Sequence, residues 1–244
     1  METKISYLFN GVKYNSVETL IIKMAENWEK GKKELISGKV LEYFNKNYTE
    51  YNLLTTVILE ELELENSNPD LIFFRWIYLM LPSLNKIYWK KSSFEDLETC
   101  LQEIKKLIDE KKDITFFSTY QDMIVNNVFS TFLRSHYCEE SIINHVYEIE
   151  NSSSFIMNTD RWMELFLNLY YLLAKNIKIT IKGKEFSNVE QLAKHIEKLT
   201  KGSFNKLEEF CKEIIGSDGR IVKEVRYWLI NNGYIDIVNS IEMI

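Results

Sequence analysis

Residues that build disulfide frameworks, tight loops and catalytic centres are scarce in this chain of 244 residues, which has 3 Cys, 3 His, 2 Pro and 8 Gly. The cysteines, Cys100, Cys138 and Cys211, are too few for a disulfide framework or a four-cysteine metal site, so we interpret them as free thiols in a reducing cytoplasm. Because 45% of the residues are hydrophobic and 14% aromatic, a disordered chain is excluded and a globular, helix-rich protein is predicted.

The chain also lacks an excess of basic over acidic residues and a long apolar segment. The 30 Lys and Arg are outnumbered by 36 Asp and Glu, which gives a formal charge of -6. A field of this sign repels nucleic acid and argues against direct nucleic-acid binding. The segment LIFFRWIYLML is apolar but short and contains Arg75, so it does not qualify as a membrane span. We therefore expect a cytoplasmic protein without a membrane partner.

No familiar arrangement of catalytic or metal-binding residues is present. His136, Cys138 and His145 are close in sequence, but their spacing matches no zinc pattern and a fourth ligand is not evident. Gly31 and Gly38 flank a segment with lysines, yet six residues separate them where a phosphate-binding loop has four. The sequence predicts no catalytic residue, no metal site and no cofactor.

A phrase that occurs twice is the most informative feature that is present. FNGVKYNSVETL, residues 9–20, is matched by IKGKEFSNVEQL, residues 181–192, and a weaker copy surrounds Lys91. Alternating apolar residues precede each copy, and Asn10-Gly11 is typical of a tight hairpin turn. The pattern predicts short two-stranded hairpins at about 5–14, 86–94 and 177–186.

A helix is expected after each hairpin. Apolar residues follow helical spacing from Val17 to Trp28, and similar stripes begin at Leu97 and Val189. Trp28 ends the first stripe, so we predict that it lies in the core.

Capping boxes are expected where two of these helices begin. Asn15 with Glu18, and Ser187 with Glu190, have the required spacing. Further helical runs are predicted at about 32–46, 50–65, 115–135, 139–150, 203–215 and 218–231.

The recurring elements predict a mainly α fold: a helical repeat array with short β-hairpins opening each repeat. The repeats would span approximately 1–84, 85–175 and 176–244, with the last truncated. We expect a single continuous array over residues 1–244, because each unit exposes an apolar face that only a neighbour can cover.

Two long segments resemble helical repeat segments of bacterial multidomain proteins that accompany chaperone-like or kinase-like domains. They are FNGVKYNSVETLIIKMAENWEKGKKELISGKVLEYF and NPDLIFFRWIYLMLPSLNKIYWKKSSFEDLE. The resemblance covers most of the chain and rests on hairpin, aromatic and capping residues. It implies an accessory, protein-binding role.

Carboxylates cluster near one predicted helix end, in the segment LEELELEN. The candidate binding residues are Glu60, Glu61, Glu63 and Glu65, because an acidic surface can dock on a basic partner. The alternative interpretation is a solvated helix face. Arg75, in the apolar segment that follows, is expected to be a snorkelling or paired core arginine and not a ligand clamp.

Three classes of function remain open. The first is a non-catalytic helical protein that acts by stoichiometric binding to a macromolecular partner, either a protein or a ribonucleoprotein. The second is a free-standing inhibitor of a nucleic-acid-guided nuclease, of the anti-CRISPR type that bacterial or phage mobile elements encode. The third, an enzyme with an unrecognised site, has no supporting motif. We expect stoichiometric binding, with exposed aromatic residues and nearby charges as its hot spots.

Overall fold

The computed structural model describes residues 6–153, 158–181, 183–202, 204–216 and 221–242. Within these ranges the fold is mainly helical, with three small antiparallel sheets of two strands each. Ile5 and Lys182, which belong to predicted hairpins, lie outside the described residues. The same holds for residue 203 and residues 218–220 of two predicted helical runs.

The three predicted hairpins are present. They pair β1 (Tyr7–Phe9) with β2 (Val12–Tyr14), β3 (Ile87–Trp89) with β4 (Ser92–Phe94), and β5 (Ile179–Ile181) with β6 (Lys184–Phe186). Asn10 and Gly11 have φ angles of 50° and 77°, the left-handed values that a tight two-residue turn requires. Lys90 adopts the same conformation in the second hairpin, with φ of 53°. The hairpins are confirmed, and their organisation as repeats stays a prediction.

Helices fill most of the remaining described chain. They are α1 (Val17–Glu26), α2 (Trp28–Ile36), α3 (Lys39–Asn47), α4 (Thr49–Glu60), α5 (Pro69–Met80), α6 (Leu97–Asp109), α7 (Ser118–Val125), α8 (Val128–Ser135), α9 (Glu140–Ser152), α10 (Thr159–Leu173), α11 (Val189–Lys201), α12 (Phe204–Ile214), α13 (Lys223–Asn231) and α14 (Ile235–Glu242). Short 3-10 helices cover Glu61–Glu63 and Ile114–Phe117. Helix α14 lies beyond the last predicted helical run.

Three predicted helical stretches are broken by a residue with non-helical backbone angles. Asn27 separates α1 from α2, so Trp28 begins the second helix and does not end the first. Gly38 and Asn127, with φ of 76° and 55°, interrupt the other two, because a left-handed residue cannot continue a right-handed helix. Side-chain periodicity does not reveal such a break when apolar residues continue on both sides of it.

The predicted capping boxes are displaced by one residue. Ser16, and not Asn15, caps α1: its hydroxyl accepts a hydrogen bond of 3.3 Å from the third N–H of the helix. Asn188, and not Ser187, caps α11 and accepts a bond of 2.7 Å from the second N–H. The predicted positions were wrong because the N-cap is the last residue that keeps extended backbone angles, as Ser16 and Asn188 do.

The chain divides into two compact units, the first formed by residues 1–99 and 118–154. Helix α5 lies at its centre and packs against α1, α2, α4 and α8. Trp28 is only 4% exposed, which confirms its predicted core position. Its ring packs edge-on against Phe73 of α5 and Trp89 of β3, at centroid distances of 4.8 and 5.6 Å.

The second unit combines residues 100–117 with 155–244. Within its described part, α10 packs against α13, and the buried rings of Phe117 and Phe166 stack at 5.0 Å. Asn231 donates from Nδ2 to the backbone oxygen of Asn168 at 3.1 Å, which ties α13 to α10. Among all described helices, none combines the length and the apolar character that crossing a bilayer demands.

Candidate functional site

A group of charged side chains surrounds the start of α5. Asp70 accepts hydrogen bonds of 2.6 Å from the indole Nε1 of Trp28 and from Nζ of Lys32. Burial alone would raise the pKa of Asp70, but the bonds from Lys32 and Trp28 outweigh it and hold this pKa below its ordinary value. The carboxylate is therefore ionised and held by two side chains of α2.

A second carboxylate repeats this arrangement beside the first. Asp122 of α7 accepts bonds of 2.7 Å from the indole of Trp89 and from Nζ of Lys90. Asn126 donates to the other carboxylate oxygen at 3.0 Å. Because these opposite charges neutralise one another, we interpret the cluster as a polar clasp between β3, α2, α5 and α7 and not as a ligand site.

The predicted acidic residues lie along the end of α4 and just after it. Glu60, Glu63 and Glu65 are exposed, whereas Glu61 is partly buried and forms an ion pair with Arg75 of α5. Arg75 is therefore paired, as predicted. It does not lie in the core, since 44% of its side chain is exposed.

A shallow pocket of about 190 Å³ lies over the outward side of α5, with walls from α4 and α8. Its lining combines aliphatic side chains, two guanidinium groups, hydroxyl groups and two tyrosines: Ile58, Arg75, Tyr78, Leu79, Pro82, Thr131, Arg134, Ser135 and Tyr137. The Glu61–Arg75 ion pair thus joins the predicted acidic segment to the edge of this pocket.

Tyr137 is the most unusual residue of the pocket. It follows α8, with its N–H bonded to the Arg134 oxygen and the Cys138 N–H bonded to the Leu133 oxygen, both at 3.2 Å. This pair of bonds is a Schellman motif, whose terminating residue is left-handed and usually glycine. Tyr137 has φ of 53°, and it is 87% exposed.

Two other helices end with the same hydrogen-bond pattern. Gly233 terminates α13 with φ of 83°, and Lys111 terminates α6 with φ of 49°. A left-handed conformation costs a residue with a side chain about 1–2 kcal/mol, and glycine avoids this cost. The exposed ring of Tyr137 offsets little of this cost by packing.

His136, Cys138 and His145 were the residues considered for a metal site, and the sequence predicts no site there. His136 is held in place: its Nδ1 lies 2.9 Å from the Phe132 oxygen and its Nε2 lies 3.1 Å from the Leu84 oxygen. Each ring nitrogen of His136 thus faces a backbone carbonyl oxygen of the protein. In the described part of the chain, no three His, Cys, Asp or Glu side chains are grouped so as to hold a metal ion.

The other end of α8 is supported by a buried carboxyl group. Glu150 of α9 is 1% exposed and accepts bonds from the backbone N–H groups of Phe129 and Ser130, at 2.8 and 3.2 Å. Asn127, at the N-cap position, makes no capping bond with its own side chain. Burial raises the pKa of Glu150 to about 8, although the hydrogen bonds from α8 act in the opposite direction.

Comparison with known proteins adds no information about the function of the chain. No family model, curated protein or solved structure matches the chain. The acidic segment, of which Glu61 pairs with the pocket residue Arg75, was singled out from the sequence, whereas Tyr137 was not. The one signal for Tyr137 was an aromatic residue at a place where glycine commonly ends a helix, and that signal requires the exact helix end.

Proposed function

We propose that the protein is non-catalytic and acts by stoichiometric binding to a macromolecular partner, a protein or a ribonucleoprotein, through the surface around Tyr137. The observation that carries this proposal is an exposed tyrosine ring held in a left-handed conformation at the edge of a pocket. Residues with a strained backbone cluster at functional sites, where the surrounding structure fixes their conformation.

The composition of the pocket supports the proposal. Tyrosine and arginine are the residues most enriched among binding hot spots, and the pocket contains Tyr137, Arg75 and Arg134. Exposed Leu79 adds an apolar contact beside them. A partner that covers this surface would shield the ring from water, which is the condition under which an aromatic side chain contributes most to affinity.

The arrangement of polar groups also favours binding over turnover. Asp70 and Asp122 are neutralised by lysines, and both nitrogens of His136 contact carbonyl oxygens. General acid–base catalysis needs a titratable group that can reach a substrate proton, and these groups are occupied within the protein.

A free-standing inhibitor of a nucleic-acid-guided nuclease is the second candidate function. The exposed carboxylates of Glu60, Glu63 and Glu65 favour it, because such a nuclease binds nucleic acid through a basic channel that an acidic surface can occupy. This candidate is tested by guided cleavage with increasing amounts of the protein. Inhibition that is complete near a fixed molar ratio, and lost in Tyr137→Gly, would support it.

The general proposal is tested by placing a photo-crosslinking amino acid at position 137 in cells of the source organism. The matched control carries the same group at Phe116, an aromatic residue of the other unit that is 60% exposed. We expect a crosslinked partner at position 137 that is absent at position 116. Titration of that purified partner should saturate at a fixed ratio, whereas chemical conversion of excess partner would contradict the proposal.

A further inference from the structure

The second unit contains a pocket of about 340 Å³ that the proposed function does not use. Its walls come from the end of α10 and the segment after it, the start of α11 and the end of α13. The described residues that line it all belong to this unit, whereas Tyr137 belongs to the first. The pocket is therefore a separate candidate site.

Two aromatic side chains in the wall of this pocket carry polar groups without a protein partner. Tyr171 and Trp228 are each 4% exposed. Across the described ranges of the chain, neither the Tyr171 hydroxyl nor the Trp228 indole N–H forms a hydrogen bond with the protein. Both atoms keep some contact with solvent, since no described side-chain nitrogen or oxygen is both sealed and unpaired. The pocket is the opening that the two residues share.

The buried indoles of the first unit are treated differently. Trp28, Trp76 and Trp89 each donate their indole N–H to a side-chain oxygen of the protein, at 2.6, 3.1 and 2.7 Å. A buried donor that has no partner costs the folded state free energy, so most such groups in proteins are paired. Trp228 departs from this pattern at the pocket, which indicates that its partner comes from outside the chain.

The two donors belong to helices that pack together. Tyr171 is in α10 and Trp228 is in α13, and Asn231 of α13 donates two hydrogen bonds to Asn168 of α10, at 2.9 and 3.1 Å. Burial raises the pKa of the Tyr171 hydroxyl, so this group keeps its proton and can donate near neutral pH. Both groups are therefore held as donors in a packed part of the second unit.

The charged residues of the lining favour a ligand with negatively charged acceptor atoms. Lys175 lines the pocket and brings a positive charge to it. Glu190 also lines it, but Nζ of Lys194 already lies 3.3 Å from the Glu190 carboxylate. An indole N–H can only donate, so its ligand must supply an acceptor. A carboxylate has two acceptor oxygens and one negative charge, which suits two neutral donors and one ammonium group.

The size and the remaining walls of the pocket suit a small molecule. Leu172, Ile177 and Val189 add apolar surface beside the polar groups. Small-molecule sites usually have volumes of about 300–1,000 Å³, and this pocket is near the lower end of that range. The ligand should therefore combine a short hydrocarbon body with its acceptor group.

We propose that this pocket binds a small organic carboxylate, whose oxygens accept hydrogen bonds from the Tyr171 hydroxyl and the Trp228 indole and whose charge faces Lys175. A phosphate monoester carries up to about two negative charges near neutral pH, for which the described lining provides one cationic residue. The proposal does not depend on the surface around Tyr137, so either site can fail in its own test without the other.

The test titrates the full-length protein with benzoate, phenylacetate and succinate, each compared with its neutral amide. Binding is followed by the indole N–H signals of the 5 tryptophans in proton–nitrogen NMR spectra. Trp228→Phe serves only to assign one of these signals. We expect at least one acid to shift the Trp228 signal and to saturate, while its amide binds about tenfold more weakly or less because it lacks the charge.

Two variants with matched controls locate the bound acid. Tyr171→Phe removes a hydroxyl that has no protein partner, so the fold should keep its stability while affinity for the acid falls about three- to tenfold. Tyr227→Phe, on α13 but outside the described lining, should bind normally. Lys175→Gln should weaken binding about threefold or more at low salt, and exposed Lys198→Gln should not.

Each contrary result overturns the proposal in a definite way. Failure of all three acids to bind at millimolar concentration would show that the pocket is not a carboxylate site. Equal affinity of Tyr171→Phe and the wild type would place the bound acid elsewhere. A clear loss of stability in Tyr171→Phe would show that the fold itself needs the hydroxyl. Inorganic phosphate is titrated separately, and tighter binding of phosphate than of any acid, lost in Tyr171→Phe, would contradict the proposed ligand class.

Discussion

The two ends of α8 are completed in opposite ways. At its beginning, the buried carboxyl group of Glu150 in α9 accepts hydrogen bonds from the N–H groups of Phe129 and Ser130. At its end, an exposed aromatic residue, Tyr137, takes a left-handed conformation that suits glycine better. The first arrangement satisfies the N–H groups of α8 and is hidden from solvent. The second costs the folded state free energy through its left-handed backbone and exposes a side chain to solvent.

This difference separates residues that serve folding from those available for binding. Unsatisfied N–H groups in the core are costly, so we expect Glu150 to contribute to stability with little direct effect on a partner. We expect the exposed ring of Tyr137, on a strained backbone, to contribute little to stability and more to partner binding. Substitutions at the two ends should therefore change different measurements: stability for Glu150 and partner binding for Tyr137.

The largest expected effect on stability comes from Glu150→Ala. Removal of the carboxylate leaves two buried N–H groups without acceptors and opens a cavity, at a cost of about 2–4 kcal/mol. Chemical denaturation measures this cost, with exposed Glu148→Ala on the same helix as the control. Equal stability of the two variants would show that Glu150 does not support α8 as described.

The same residue should make stability depend on pH. The pKa of Glu150 is raised from 4.5 to about 8 in the folded protein, so between these values the folded state keeps a proton that the unfolded state has lost. Its contribution to stability should therefore decline as pH rises from 4.5 to about 8. Denaturation at several pH values should show this decline in the wild type and a flatter profile in Glu150→Gln. Parallel profiles would contradict the assignment.

The polar clasp at the start of α5 provides a third, more modest test. Asp70→Asn removes the charge that pairs with Lys32, and we expect a loss of about 1–2 kcal/mol at neutral pH because the site is partly exposed. The pKa of Asp70 is lowered in the folded protein, so its contribution is present above its ordinary pKa and is lost as pH falls below it. The difference between Asp70→Asn and wild type should therefore shrink in acid. A difference in unfolding free energy that stays constant with pH would contradict this assignment of Asp70.

Local chemistry explains which parts of the fold could be predicted from the sequence. Asn10-Gly11 favours a tight turn by itself, and the apolar spacing around Trp28 places that residue in the core without knowledge of its neighbours. Asn127, by contrast, breaks a helix whose apolar pattern continues through it.

The candidate site was harder to predict because it depends on tertiary structure. The acidic residues could be identified by composition, but their relation to a pocket depends on the packing of α4 and α8 against α5. Glu150 has the sequence context of an ordinary helical glutamate, and its burial follows from the position of α8. Tyr137 stands out only when its φ angle and its exposed ring are known together.

The unfolding free energy of Tyr137→Gly tests the central claim most directly. We expect it to equal that of the wild type or to exceed it by up to about 1 kcal/mol, because glycine relieves the left-handed strain but gains freedom in the unfolded chain. Lys111→Gly, at the equivalent position after α6, should behave alike. A loss of more than about 1 kcal/mol in Tyr137→Gly alone would show that the ring serves the fold and would contradict the claim that it is retained for binding.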